Sequence, residues 1–292
     1  ANGALISSAN DVYEWRQNKP TSTYNFVFAI GQFDTYADEI CFDSVGLDDE
    51  RVDCAVAQVR IPLRVYYDKT IPWHVEAVES LKVDADAIIY FSKLFGEYEF
   101  EKLGFFISEY PFSMESTSLI VLRSKRSALH EIAHHWFGNN VVIPHWGDFW
   151  VSEGFTTYVT GLYDEYRNGK NTSCFDETSP QALNNPSSTD PNDIFDSVPY
   201  CKGASAIHGL RAELEKLSQG SPRATEAFLE VLARLYREYR GRPLSTEDFI
   251  RFVSENSGSV YASHGIAIAP DELAAVLKAW SARWFVSIPV SS

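Results

Sequence analysis

Hydrophobic residues in the first part of the chain are concentrated in two segments, TYNFVFAIGQF and VAQVRIPLRVYY. Both segments are rich in the β-branched and aromatic residues that strands favour, and an acidic segment, DSVGLDDERVD, separates them. We therefore predict that residues 1–68 form a β-rich fragment. The domain that follows is predicted to cover residues 69–292.

The hydrophobic pattern changes at Pro72. The segment PWHVEAVESLKVDADAIIYFSKLF has apolar residues at helical spacing, with proline near its start, where the missing N–H costs least. The segments GFFISEY and STSLIVL then predict two short strands, joined through PFSME. The pattern in the rest of the chain predicts mostly helices, over residues 127–137, 148–166, 202–217, 223–239, 246–255 and 270–284. A polar loop at 169–198 separates the second of these helices from the third. Strands followed by helices indicate an α+β fold.

The charge balance limits the partners of the chain. Its 25 basic and 40 acidic residues give a net charge of −15. This charge disfavours nucleic-acid binding, which depends on a cationic surface. The sequence also has no apolar run of the roughly 20 residues that cross a bilayer, so we expect no membrane insertion in this segment.

The segment His130-Glu131-Ile132-Ala133-His134 carries the strongest chemical signal. Two histidines four positions apart lie on the same side of a helix, so both imidazoles can reach one cation at about 2.0–2.1 Å. Glu131 is close enough to act on water at that cation without binding the cation itself. The alternative is a solvated helix with scattered histidines.

A zinc site of this kind needs a third protein ligand, and one position is left open. Glu153 follows His134 after eighteen intervening residues and falls in the first turns of the next predicted helix. A helix–loop–helix can bring its carboxylate over the histidine pair. We therefore predict one Zn²⁺ per chain, bound by His130, His134 and Glu153.

These residues lie in segments that resemble a known family. HEIAHHWFGN followed by FWVSEGFTTY is similar to the zinc signature of the M1 family of aminopeptidases. PFSMES stands where that family has a Gly-x-Met-Glu-Asn motif, and SVPYCKGAS resembles its Tyr-x-Lys-Gly-Ala segment. The resemblance covers about residues 12–290. It implies a thermolysin-like zincin catalytic domain, with a small mixed sheet followed by a mainly helical part.

The resemblance also implies neighbours and a substrate. KPTSTYNFVFAIGQF is similar to the last strands of the β domain that precedes the catalytic domain in this family. The expected partners are therefore a peptide substrate and, in a longer chain, further domains.

By motif position, the resemblance assigns roles to further residues. Glu131 would be the general base, and Tyr200 would donate a hydrogen bond to the tetrahedral intermediate. Glu115 would bind the free amine of the substrate, and an extended substrate would pair with the strand around residues 114–118. Met114 and Ser113 are further candidate substrate contacts. Each role fits the chemistry, because a carboxylate can move a proton and a phenol stays protonated at neutral pH.

Some positions depart from the family pattern. Phe112 replaces a glycine that lets a substrate approach the backbone closely, Ser116 replaces an amide, and Ser152 replaces an asparagine. These differences leave three functions open. The first is an aminopeptidase, the second is a zinc endopeptidase or other zinc hydrolase, and the third is a non-catalytic peptide-binding scaffold of the same fold.

The four cysteines, Cys41, Cys54, Cys174 and Cys201, allow three pairings if all are bridged. Pairing the first two and the last two would close two local loops, and the sequon at Asn171 lies beside Cys174. These features slightly favour a secreted or extracellular protein. The number of cysteines alone fits a cytosolic protein with four reduced thiols equally well.

Overall fold

A computed structural model of the chain describes residues 1–44, 50–184 and 195–285. Two compact units are distinguished, Ala1–His135 and Trp136–Ser292. The domain boundary that the sequence predicts, after residue 68, stays a prediction. None of the described helices is long and apolar enough to cross a membrane.

The first unit contains the strands. β1 (Ala4–Ala9) and β2 (Val12–Arg16) form a hairpin, which is a separate two-stranded sheet beside a four-stranded one. The sheet has the order β3-β4-β5-β6, and its strands are β3 (Asp34–Phe42), β4 (Val59–Tyr67), β5 (Leu103–Ile107) and β6 (Ile120–Leu122). β3 and β4 are antiparallel, whereas β4, β5 and β6 are parallel, so the sheet is mixed.

Three helices accompany this sheet: α1 (His74–Asp84), α2 (Ala87–Phe95) and α3 (Ala128–Ala133). The single helix predicted over residues 72–95 is therefore two helices. α2 carries the stronger apolar face, and its buried residues are Ala87, Ile88, Ile89, Phe91, Ser92 and Phe95. The helix predicted over residues 127–137 is shorter than expected, because regular helix ends at Ala133.

The strand predicted within TYNFVFAIGQF is wrong. Residues Thr23–Asn25 form a short 3₁₀ turn, and no strand is assigned from there to Asp34. Phe26, Phe28 and Ile30 are 66%, 63% and 89% exposed. A strand needs a neighbouring strand to supply hydrogen bonds, and none of the described strands pairs with this segment.

The second unit is helical. Its helices are α4 (Phe149–Asn168), α5 (Gly203–Leu217), α6 (Ala224–Tyr239), α7 (Thr246–Ser263) and α8 (Pro270–Trp284). Local signals define several ends: Gly169 ends α4 with φ of +70°, and the Ser245 hydroxyl accepts from the Asp248 N–H at the start of α7. The helix predicted over residues 246–255 continues to Ser263. Part of the predicted polar loop, residues 185–194, lies outside the described residues.

Two disulfides are present, Cys41–Cys54 and Cys174–Cys201. They are the two local pairings among the three that the sequence left open. The fold is α+β, as predicted, with the strands in the first unit and a helical second unit.

Candidate metal centre

The two histidines of the HExxH segment point towards one another from α3. The His134 N–H donates to the His130 carbonyl at 3.1 Å, so the helical turn between them is closed. Their rings are nearly perpendicular, at 88°, and the two Nε2 atoms lie 3.1 Å apart. Two imidazole nitrogens bound to one tetrahedral zinc at 2.0–2.1 Å would be roughly 3.3 Å apart. The pair therefore has the spacing that a zinc ion requires.

Glu153 is the third donor that the sequence predicts. It lies in the first turns of α4, where the sequence places it. Donor atoms of His130, His134 and Glu153 all lie within 4.8 Å of one another. His134 is 2% exposed and Glu153 is 6% exposed. Two imidazoles and a buried carboxylate form a donor set that a divalent cation stabilises, because a buried negative charge is costly without a cation.

Glu131 and Glu115 form a second group with the same histidine. Donor atoms of Glu115, Glu131 and His134 also lie within 4.8 Å of one another. Glu131 is 6% exposed, whereas Glu115 is half-buried. The residue predicted as general base and the residue predicted to bind the substrate amine are therefore both close to a predicted metal ligand.

His135, which directly follows His134, is engaged elsewhere. Its Nδ1 donates to the Glu131 carbonyl at 3.2 Å, and its Nε2 accepts from the Ser118 N–H at 3.3 Å. These two partners define the neutral tautomer. The ring packs against Tyr98 and Phe100, and burial lowers the pKa of His135 to about 4. Packing and these hydrogen bonds account for this histidine.

Met114 and Glu115 lie in a short extended segment beside β6. Met114 and Val121 form an isolated antiparallel bridge, in which the Met114 N–H donates at 2.9 Å and its carbonyl accepts at 3.0 Å. Both backbone polar groups of Met114 are therefore directed at β6. In such a pair, the neighbouring residues direct their backbone groups to the opposite edge.

The Ser113 side chain ties this segment to the turn before α3. The Ser127 hydroxyl donates to the Ser124 carbonyl at 2.9 Å, so its oxygen is left to accept. Ser113 Oγ lies 2.7 Å from Ser127 Oγ and accepts from the Arg123 N–H at 3.0 Å. The hydroxyl of Ser113 therefore donates to Ser127. The sequence predicts Ser113 as a substrate contact but gives no local signal for this non-local chain of hydrogen bonds.

Tyr200 lies in a π-helical turn, Val198–Lys202, directly before α5. It is half-buried, and its ring centroid is 6.3 Å from that of Phe149. Cys201 is bonded to Cys174. A thiolate at Cys201 is therefore excluded while the disulfide is intact.

Two glycines bring α4 and α5 together beside these residues. A Cβ on Gly154 would lie 2.7 Å from the Cα of Gly203 and 3.0 Å from the Pro199 carbonyl oxygen. The backbones can approach this closely only because neither residue has a side chain. Gly154 follows Glu153, and Gly203 is three positions after Tyr200, so this contact positions two predicted site residues. Sequence reasoning missed it, although both glycines lie in the quoted motifs.

A third group of donor atoms comprises Glu39, Cys41 and Cys54. Both of its cysteines belong to one disulfide, so their sulfur atoms are not available as thiolate ligands.

Comparison with known proteins identifies the family of the chain. The model of the Peptidase family M1 domain matches residues 79–280. Aminopeptidase M1-B of Oryza sativa subsp. japonica is 31% identical over 144 residues, which are 44% of this chain and 15% of that protein. Aminopeptidase B of Homo sapiens is 30% identical over 194 residues, 56% of this chain and 29% of that protein. The chain thus matches less than a third of the length of either relative.

Solved structures share the fold. The M1 zinc metallopeptidase from Deinococcus radiodurans aligns with a TM-score of 0.66 at 22% identity, over 99% of this chain and 62% of that one. Legionella pneumophila aminopeptidase A in complex with aspartic acid aligns with a TM-score of 0.71 at 17% identity, over 92% of this chain and 32% of that one. Zn²⁺ is the metal that the donor set and these relatives indicate. Since the family model covers more than two thirds of the sequence, the chain belongs to the Peptidase M1 family.

Proposed function

We propose that this chain is the catalytic domain of a zinc-dependent aminopeptidase, which releases amino-terminal residues from peptides. The observation that carries the proposal is the pair of donor groups that share His134, one with Glu153 and one with Glu115 and Glu131. A metal site and a carboxylate on an extended edge segment are thereby close together. The zinc endopeptidase and scaffold readings have no comparable support.

In this proposal, His130, His134 and Glu153 hold the zinc ion. Bound zinc supplies Lewis acidity, which polarises the scissile carbonyl and makes a coordinated water more acidic. His130 lies in α3, His134 directly follows its last residue and Glu153 lies in α4, so the ligands are positioned by helices and a helix end.

Glu131 is the proposed general base. Its carboxylate accepts a proton from the attacking water and later passes that proton to the leaving amine. The buried position of Glu131, at 6% exposure, keeps bulk water from competing for the same hydrogen bonds. Tyr200 is proposed to donate its phenolic hydrogen to the oxyanion that develops on the attacked carbonyl.

Glu115 is the proposed anchor for the free amine of the substrate. The nitrogen of an amino-terminal residue is only two bonds from that residue's carbonyl carbon. A carboxylate that binds this nitrogen must therefore lie close to the metal, and Glu115 meets that requirement. An internal residue of a peptide has a neutral amide nitrogen there, which is a weaker partner for a carboxylate than a charged amine.

The test compares a peptide that has a free amine with the same peptide acetylated at its amine. We expect acetylation to reduce kcat/KM by at least about 100-fold, since it replaces the charged amine that Glu115 would bind with a neutral amide and adds an acetyl group at that position. A Glu115→Gln variant should lose most of this discrimination. Equal cleavage of both peptides by the wild-type protein would instead establish an endopeptidase, and zinc binding without cleavage of either would establish a scaffold.

A further inference from the structure

The turn that carries Tyr200 is attached to a segment without helix or strand, residues 174–181. The Cys174–Cys201 disulfide joins the start of this segment to the residue directly after Tyr200. Two positions further on, the Asp176 N–H donates to the Cys201 carbonyl at 3.3 Å. A covalent bond and a hydrogen bond therefore restrain Cys201. We call residues 174–181 the strap.

Lys202 binds the far end of the strap. Its ammonium nitrogen donates to the Ser179 carbonyl at 2.8 Å and to the Gln181 carbonyl. Lys202 is 5% exposed, and a buried ammonium group is costly without hydrogen-bond acceptors, so these two carbonyls fix its position. Asp176 shapes the strap between its two attachments, because its carboxylate accepts from the Thr178 N–H at 2.8 Å and from the Ser179 N–H at 3.2 Å.

The strap is also attached to α4. Ser173, directly before the strap, donates its hydroxyl hydrogen to the Thr157 carbonyl at 2.8 Å. Thr157 is about one helical turn after Glu153. The strap therefore connects the helix that carries a proposed zinc ligand to the turn that carries the proposed oxyanion donor, Tyr200.

Two properties of this turn make the attachments important. The turn, Val198–Lys202, is π-helical, a conformation that is rare in proteins and occurs mostly as single turns. An oxyanion donor must also lie within about 2.7–3.1 Å of the developing charge, and a misplacement of about 1 Å can lower a rate by about 100-fold. Cys201 and Lys202, which separate Tyr200 from α5, are both attached to the strap. The strap is therefore well placed to fix the position of the phenol.

We propose that Cys174, Cys201 and Lys202 are positioning residues for Tyr200, and that through the strap they hold its hydroxyl where the oxyanion develops. The proposal rests on the proposed function, because it requires Tyr200 to donate to that oxyanion. The three residues act on the reaction through Tyr200 and make no contact with the substrate. Their removal should therefore lower kcat and leave KM almost unchanged.

The test measures kcat and KM for a free-amine peptide, together with the zinc content of each preparation. One variant combines Cys174→Ala with Cys201→Ala, and a second, Lys202→Met, keeps the disulfide and removes only the ammonium donors. We expect kcat to fall by at least about tenfold in each, with KM within about twofold of the wild-type value and with full zinc content. Wild-type kcat in either variant, or loss of zinc from either, would overturn the proposal.

Lys216→Met is the matched control for Lys202→Met. Lys216 lies in α5, its side chain is 70% exposed, and its ammonium nitrogen lies 2.6 Å from the Glu213 carboxylate. Since it has no contact with the strap, its substitution should leave kcat at the wild-type value. A fall in kcat equal to that of Lys202→Met would show that the effect does not depend on the strap.

The same variants in a Tyr200→Phe background separate positioning from a general loss of packing. If the strap acts through the Tyr200 hydroxyl, its disruption should lower kcat by less than about twofold once that hydroxyl is absent. An equal fold loss in both backgrounds would overturn the proposal, because the strap would then act independently of Tyr200. Wild-type kcat in Tyr200→Phe itself would instead refute the oxyanion role in the proposed function.

Discussion

His134 lies directly after the last residue of α3, yet its backbone N–H still donates to the His130 carbonyl at 3.1 Å. Its φ of −56° and ψ of −24° are helical, so the final turn is complete where the second histidine needs it. The four-residue spacing in the sequence is thereby converted into two Nε2 atoms 3.1 Å apart. One backbone hydrogen bond fixes this geometry, which explains why a local motif predicts it well.

Glu131→Gln tests the proposed base. The substitution keeps the shape of the side chain and removes its ability to accept a proton. We expect kcat to fall by at least about 100-fold, with zinc content and thermal stability close to those of the wild-type protein. Steady-state kinetics together with metal analysis of the same preparation would check this. Wild-type kcat in a fully zinc-loaded variant would assign the base to another residue.

Tyr200→Phe removes a single hydroxyl from the second unit. If this hydroxyl stabilises the oxyanion, kcat should fall by roughly 100- to 1,000-fold while KM changes little. The ring remains to pack near Phe149, so the unfolding transition should be almost unchanged. A variant that raises KM at constant kcat would indicate a role in substrate binding instead.

Ser113→Ala interrupts the hydrogen-bond chain that connects the Glu115 segment to the turn before α3. The substitution removes two hydrogen bonds, with Ser127 and with the Arg123 N–H, and the loss of each costs about 1 kcal/mol, so we expect KM for free-amine peptides to rise about fivefold or more. Ser113→Thr, which keeps a hydroxyl, should restore most of the affinity. Ser92→Ala is the matched control, because it removes a buried hydroxyl for which the described residues provide no hydrogen-bond partner. An equal rise in KM for Ser113→Ala and Ser92→Ala would contradict a positioning role for Ser113.

Gly154→Ala tests the backbone contact between α4 and α5. The added methyl would lie 2.7 Å from the Cα of Gly203, and backbone atoms cannot move away as a flexible side chain can. We expect a loss of about 1–3 kcal/mol in the free energy of unfolding, measured by urea denaturation, together with reduced activity. Gly258→Ala in α7 is the control, because no atom lies within 4 Å of its added Cβ. That change should be neutral or stabilising by up to about 1 kcal/mol.

Local patterns predicted much of the fold. The helices from α4 onwards were predicted to within two residues at most ends, because each has its own amphipathic face and end signals. The strand expected near Phe28 was wrong, since a strand depends on a neighbour that a local pattern cannot specify. The break between α1 and α2 was also missed, as the segment VDADA contains neither glycine nor proline.

The candidate site likewise contains residues that the local sequence predicts and contacts that it does not. His130, Glu131 and His134 follow from spacing along one helix, and Glu153 from the resemblance and its place on the next predicted helix. The contact of Ser113 with Ser127 joins residues fourteen positions apart, and that of Gly154 with Gly203 joins two helices. Such contacts depend on tertiary packing, so the sequence alone gave no basis for pairing these residues.

The central claim is that one zinc ion is bound by His130, His134 and Glu153. The most direct measurement is the zinc content of purified protein after equilibration with zinc and removal of excess metal. We predict one zinc per chain in the wild-type protein and in Glu131→Gln, and much less in His134→Ala and Glu153→Ala, because each of the last two removes a ligand. Absence of zinc from the folded wild-type protein, or full occupancy in both ligand variants, would contradict it.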